Sequence, residues 1–190
     1  MSLLPPIAAR AAVALALAVA AGASAQGTDA DIVAAKAAFD RGDRARLEAL
    51  APRASGHLLE PYVAYWRLKL GIDTADPEAI RAFLARYAAT PLAERLKIDW
   101  LRSLGRKGDW TRFAATYGSG GYEDVEIQCY AVQAARQRDG DGALAAAKPL
   151  WFTGQATPDA CEPAFAALIV RGTISIDDRW ARYRLAERYG

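Results

Sequence analysis

The chain has 190 residues, with 24 Lys+Arg against 22 Asp+Glu and a formal net charge of +2. That near-balance lacks the basic excess a nucleic-acid footprint needs. One histidine and two cysteines 32 apart leave no set of ligands for the usual zinc sites.

Residues 1–25 have the three parts of an export signal. Arg10 supplies a short positive region, Ala11 to Ala21 an apolar run, and Ala23-Ser24-Ala25 a small-x-small cleavage site with Gln26 the first mature residue. The apolar run is well short of the roughly 20 residues that span a bilayer, so stable membrane insertion is not expected. No cysteine follows the cleavage site to carry a lipid anchor. Removing residues 1–25 deletes one cation, leaving 23 Lys+Arg against 22 Asp+Glu in a mature segment 26–190.

The mature segment opens with Asp29 or Asp31 placed to cap a helix in which Ile32, Ala35 and Phe39 share one face. Arg41-Gly42-Asp43 ends it and starts a second helix through Leu47 and Leu50, broken by Pro52. After the loop Ser55-Gly56-His57, Pro61 opens a helix carrying Tyr62, Tyr65, Trp66, Leu68 and Leu70. Asp76-Pro77 begins another, with Ile80, Phe83, Leu84 and Tyr87 on one face. Thr90-Pro91 starts the next, where Leu92, Leu96, Trp100 and Leu104 recur at every fourth residue. Gly108-Asp109-Trp110 repeats the earlier Gly-Asp turn and leads to Phe113 and Tyr117; Gly118-Ser119-Gly120-Gly121 is a connector. A helix from about Glu123 to Arg138 carries Val125, Cys129 and Val132. Asp139-Gly140-Asp141 turns it into a helix from Leu144 through Trp151. The last pair is Pro158 to Arg171 and Ser175 to Tyr189, divided by Gly172.

These turns recur. Positions 42, 75, 108, 140 and 172 are 33, 33, 32 and 32 residues apart, with Ala75 the one position that is not glycine. A helix–turn–helix unit of this length marks an all-α solenoid, in which no unit buries its apolar face without a neighbour. The tetratricopeptide consensus is not met beyond the repeat length, and no segment has a strand pattern.

Cys129 and Cys161 each lie eleven residues before a turn glycine, Gly140 and Gly172, and so share a register in consecutive units. In an oxidising compartment such a pair is expected to close. The other reading is two small buried residues that never meet, because equivalent positions in stacked units point in similar directions while a bridge needs Cα atoms within about 7 Å.

No catalytic constellation emerges. Glycoside cleavage needs an acid held in a sugar groove, but Glu48, Glu60, Glu78, Glu94, Glu123, Asp124 and Glu126 all lie where a cap, a solvated face or an ion pair, such as Arg95 with Asp99, explains them. The Glu123-Asp124-Glu126 cluster offsets a helix dipole. His57 sits in a polar loop with no nucleophile motif near it, and the glycine connector lacks the Lys-Ser/Thr of a phosphate loop. The five tryptophans, Trp66, Trp100, Trp110, Trp151 and Trp180, fall mostly at core spacing, and core is the expectation for all five. No cofactor and no metal is expected.

The segment Leu150-Trp151-Phe152-Thr153-Gly154-Gln155, followed by Pro158-Asp159-Ala160-Cys161 and Phe165, resembles the N-terminal region of the soluble lytic murein transglycosylases. So do Pro61 to Trp66, the run from Trp100 to Trp110, and Arg182-Tyr183-Arg184-Leu185-Ala186. The resemblance implies a right-handed α-superhelix forming a U-shaped domain, a Cys129–Cys161 disulfide, and export to the periplasm. The family's enzymes use a Glu-Ser pair in a lysozyme-like C-terminal domain to cleave the N-acetylmuramyl to N-acetylglucosamine bond, leaving 1,6-anhydromuramyl ends. No glutamate here is followed by serine, so no catalytic residue carries over.

The expectation is therefore a signal peptide at 1–25 and a scaffold domain at 26–190 that precedes the catalytic part of a longer enzyme. Its expected partners are peptidoglycan glycan strands, through the complete enzyme, and cell-wall synthesis proteins. The alternative is a free-standing periplasmic helical-repeat adaptor for a protein partner, which a stop codon after Gly190 would favour.

Overall fold

A computed structural model describes residues 27–189, and the expected signal segment 1–25 lies outside them. Among the described residues the fold is all-α with no strand. Two helices make each unit: α1 (Asp29–Asp40) with α2 (Arg44–Leu50), α3 (Glu60–Leu70) with α4 (Pro77–Arg86), and α5 (Pro91–Lys107) with α6 (Trp110–Tyr117). Next come α7 (Val125–Asp139) with a 3₁₀ stretch and the short α8 (Lys148–Trp151), and α9 (Glu162–Val170) with α10 (Ile176–Tyr189).

The starts follow from single side chains. Asp43, Asp76, Asp109 and Asp124 each accept a backbone N–H in the first turn of α2, α4, α6 and α7, and the Thr90 hydroxyl does so for α5. At α1 the cap is Thr28, not Asp29 or Asp31. Asp31 sits three residues on and reaches back to the Thr28 N–H, so the pair forms a reciprocal capping box. Gly42 and Gly108, at φ +69° and +68°, make the left-handed turns that let α1 and α5 reverse into their partners. Ala75 is different. Helix α3 ends earlier, at Gly71, and a 3₁₀ turn over Ile72–Thr74 carries the chain to the Asp76 cap.

The fourth unit also departs from the expected continuous helix. Asp141–Ala147 is 3₁₀ and only Lys148–Trp151 is α, because Pro149 has no N–H for the bond that would continue a helix from Ala145. Pro52 has the same effect on α2, which tightens into a 3₁₀ turn at Ala51–Ala54.

Helices α1, α3, α5, α7 and α9 pack on one another in succession, while α2, α4 and α6 each fill the angle between two of them. Clefts separate the members of this second row. Leu47, Ile80 and Phe113, one equivalent position in three units, are completely buried. With Leu96, Leu101, Leu104, Ile127 and Leu168 they make one continuous core. Trp66 and Trp100 belong to it and Trp110 and Trp151 pack against it, but Trp180 is 55% exposed on the outer face of α10. Its spacing marks an apolar face correctly; nothing in the described stack covers that face.

Polar ties run between units about thirty residues apart. Asp99 on α5 accepts from Lys69 (2.7 Å) and from the Tyr65 hydroxyl (3.2 Å), not from the expected Arg95. Arg102 reaches Asp124 at the start of α7, with its Nε 3.2 Å from Glu126 but not aligned for a hydrogen bond. Arg171 pairs with Asp141.

Candidate functional site

Three parts of the stack gather polar or reactive side chains: the Cys129–Cys161 junction, the dispersed acids with His57, and the cleft between α2 and α4.

Cys129 on α7 and Cys161 at the end of the 3₁₀ turn Asp159–Cys161 form a disulfide, with Cα atoms 4.9 Å apart and both residues fully buried. The conflict of equal register is relieved because Cys161 lies just before α9 begins, not within it. Gln133 donates from α7 to the Ala160 carbonyl at 2.7 Å beside the bridge.

The Trp151 to Thr157 loop next to it carries α10. The Trp151 indole N–H donates to the Asp178 carbonyl at 3.1 Å. The Arg182 guanidinium stacks 4.3 Å from the Trp151 ring and donates to Thr157 Oγ1 at 3.1 Å. Gly154 packs under α10 so closely that a Cβ there would fall 2.8 Å from the Leu185 carbonyl oxygen. Lys148 completes the anchor by donating to the Thr173 carbonyl and to Asp178. The Ser175 N–H, followed by Lys148, holds the Asp178 carboxyl below the usual carboxylate range. The Trp-x-Thr-Gly to Cys segment is thus a joint that fixes the last helix pair.

Most of the acids have structural partners, and Glu94 and Glu123 are exposed. Glu78 pairs with Arg81, Asp124 caps α7, and Glu126 and Asp124 face Arg102. The His57 Nδ1 accepts the Leu59 N–H at 3.0 Å, leaving Nε2 to donate to Asp29 at 2.9 Å, so the ring ties the start of α1 to the following loop. No cluster of three or more His, Cys, Asp or Glu side chains is poised for a metal among the described residues.

The α2–α4 cleft has a volume of about 490 Å³, with α3 as its floor. Arg67 Nε donates to Glu48 at 2.9 Å across one end. At the other, Arg86 lies 3.7 Å from Glu60, whose second oxygen accepts the Gly56 N–H at 2.8 Å. Arg44 donates to the Thr74 hydroxyl at 3.3 Å. On α4, Ala79 and Ala82 leave the wall open above Phe83, and Tyr87 closes the side beneath the Arg86 guanidinium. Sequence reading missed this cleft, since its pairs join residues 19 and more apart and its open wall is a pattern of alanines.

No family model matches the chain. Over 158 residues, 82% of its length, it is 27% identical to the soluble lytic murein transglycosylase of Salmonella typhimurium. The crystal structure of an inactive mutant of the lytic transglycosylase Slt from Pseudomonas aeruginosa superposes with a TM-score of 0.69 at 29% identity, over 84% of this chain. Over most of its length the chain is similar to soluble lytic murein transglycosylases.

The 70 kDa soluble lytic transglycosylase of Escherichia coli shares the fold, with a TM-score of 0.68 at 24% identity over 83% of this chain. The chain spans about a quarter of the length of the curated relatives it matches: 24% of the Salmonella protein, and 26% of the Pseudomonas structure. Three residues of the segment that carries the resemblance have packing roles here: the Trp151 indole holds α10, Gly154 admits it, and Cys161 staples the turn.

Proposed function

We propose that residues 26–190 are a scaffold domain of a periplasmic soluble lytic murein transglycosylase, exported through the signal at 1–25 and holding peptidoglycan glycan strands while the bond is cut by another part of the enzyme. The observation that carries this reading is the similarity to murein transglycosylases along four-fifths of the chain but over only a quarter of theirs. It is supported by the dispersal of the acids into caps and ion pairs, which leaves no carboxyl group isolated in an apolar pocket where its pKa would rise for acid catalysis. In the α2–α4 cleft the carboxylates of Glu48 and Glu60 face Arg67 and Arg86, an arrangement that supports holding a strand in preference to acid catalysis.

The test is a product analysis. Oxidised protein is incubated with purified murein sacculi and the soluble fraction is examined by mass spectrometry. The reading predicts no 1,6-anhydromuropeptides above the protein-free control. Their release by this chain would overturn it.

A further inference from the structure

We infer that the α2–α4 cleft binds an uncharged, hydroxyl-rich ligand of one or two sugar rings. The inference rests on the scaffold reading above and locates the contact that reading requires.

The cleft's size is within the roughly 300–1,000 Å³ of small-ligand sites. Three cations face three carboxylates in its lining: Arg67 couples with Glu48 and Arg86 with Glu60, while Arg44, bonded to Thr74, is balanced in number by Asp76, the cap of α4. A metal ion would meet a guanidinium beside Glu48 and beside Glu60, and an Asp76 carboxylate already engaged in capping α4. A simple anion would meet a carboxylate beside Arg67 and beside Arg86, with Arg44 alone bonded to a hydroxyl. A sugar hydroxyl gains from both, because it donates one hydrogen bond and accepts others. The planar forks of Arg67 and Arg86, next to carboxylates, present donors and acceptors to neighbouring hydroxyls on one ring. Glu48 and Arg67 are each a little over two-fifths exposed, so a ligand reaches them without opening the fold.

The apolar surfaces fit the same ligand. Ala79, Ala82, Phe83 and Arg86 recur at i, i+3, i+4 and i+7 on α4, so one helix face supplies an open shelf, the hydrophobic base of that wall and a polar edge. A larger residue at 79 or 82 would close the shelf. Both alanines are exposed, so the core does not account for their size. The neighbouring cleft between α4 and α6 lacks such couples: Arg81 bonds to Glu78 on its own helix, Arg112 to the Asp109 cap, and Lys97 lies over the Tyr122 ring.

The test is a titration of the isotopically labelled, oxidised chain with N-acetylglucosamine tetramer, followed by amide chemical shifts, with citrate as an anionic comparison. Shifts should concentrate at Thr74, Ala79, Ala82 and Tyr87, with a Kd near 1 mM or tighter. Ala82→Trp should weaken binding by about tenfold or more at unchanged Tm. Saturable citrate binding in the cleft, tetramer shifts elsewhere, or wild-type affinity in Ala82→Trp would overturn the inference. Sacculus pelleting of the same proteins separates the two levels. If wild type pellets but the tetramer does not bind this cleft, the cleft assignment falls and the scaffold reading stands; if wild type does not pellet, the scaffold reading falls.

Discussion

Ser103 and Asp73 join adjacent helix pairs across thirty residues of sequence: the Ser103 hydroxyl, fully buried on α5, donates to Asp73 Oδ1 at 2.7 Å in the turn after α3. Arg106 adds a second bond to the same oxygen at 3.0 Å, and Lys107 reaches the Asp73 carbonyl. The Ser103 bond, then the Arg106 charge, hold the Asp73 carboxyl below its usual range. Asp73→Ala strands a buried hydroxyl and should cost about 1–3 kcal/mol, whereas Ser103→Ala, which leaves Asp73 with Arg106, should cost about 1 kcal/mol. Urea unfolding of the two variants checks the order, and an equal or reversed cost would count against this tie.

The disulfide should matter most at the C-terminal end. Breaking it with Cys129→Ala and Cys161→Ala frees a closed loop of about thirty residues, a loss of about 2–4 kcal/mol. Because α9 joins the stack only at its end, through α7, the Asp141–Ala147 stretch and the bridge, its amides should exchange faster than those of α3 and α5. Non-reducing peptide mapping of exported wild type should recover Cys129 linked to Cys161; two free thiols there would contradict the structure.

Gly154 is a packing position. In Gly154→Ala the new methyl group meets the Leu185 carbonyl oxygen and the Tyr189 ring, so α10 has to move away from the Trp151 joint. Overpacking of this kind costs about 1–3 kcal/mol. Hydrogen exchange should show the loss in α10 and not in α5. Unchanged protection of α10 would remove this account of the glycine.

Acid should loosen the stack. Hydrogen bonds from Thr28 to Asp31, from Ser103 to Asp73, from Arg136 to Asp141 and from Ser175 to Asp178 lower these carboxyls in the folded state. Groups whose folded pKa is depressed add stability that is complete above the unfolded value of about 4 and is lost as pH falls below it through the folded values. Tm should therefore fall between about pH 4 and pH 2, and less steeply in Asp178→Asn than in wild type. An equal decline in the two proteins would show that Asp178 does not contribute.

Much of this architecture is legible because the relevant signals are local. Asp43, Asp76 and Asp109 cap at a regular interval, Thr90-Pro91 opens a helix, and Leu47, Ile80 and Phe113 mark the buried face. The parts that escape sequence reading depend on neighbours distant in the chain. Arg95 is one helical turn from Asp99, but the partner that reaches Asp99 is Lys69 on the preceding helix pair. Trp180 has core spacing without a covering element, since periodicity says which face is apolar and not what lies on it. The α2–α4 cleft exists only once Glu48 meets Arg67 and Glu60 approaches Arg86.

Co-sedimentation of the oxidised protein with purified murein sacculi tests most directly the claim that this helical stack holds wall glycan without cutting it. The account predicts that the protein pellets in a saturable manner, is displaced by soluble glycan strands, and leaves the sacculi intact. Protein that stays in the supernatant at every sacculus concentration would contradict it.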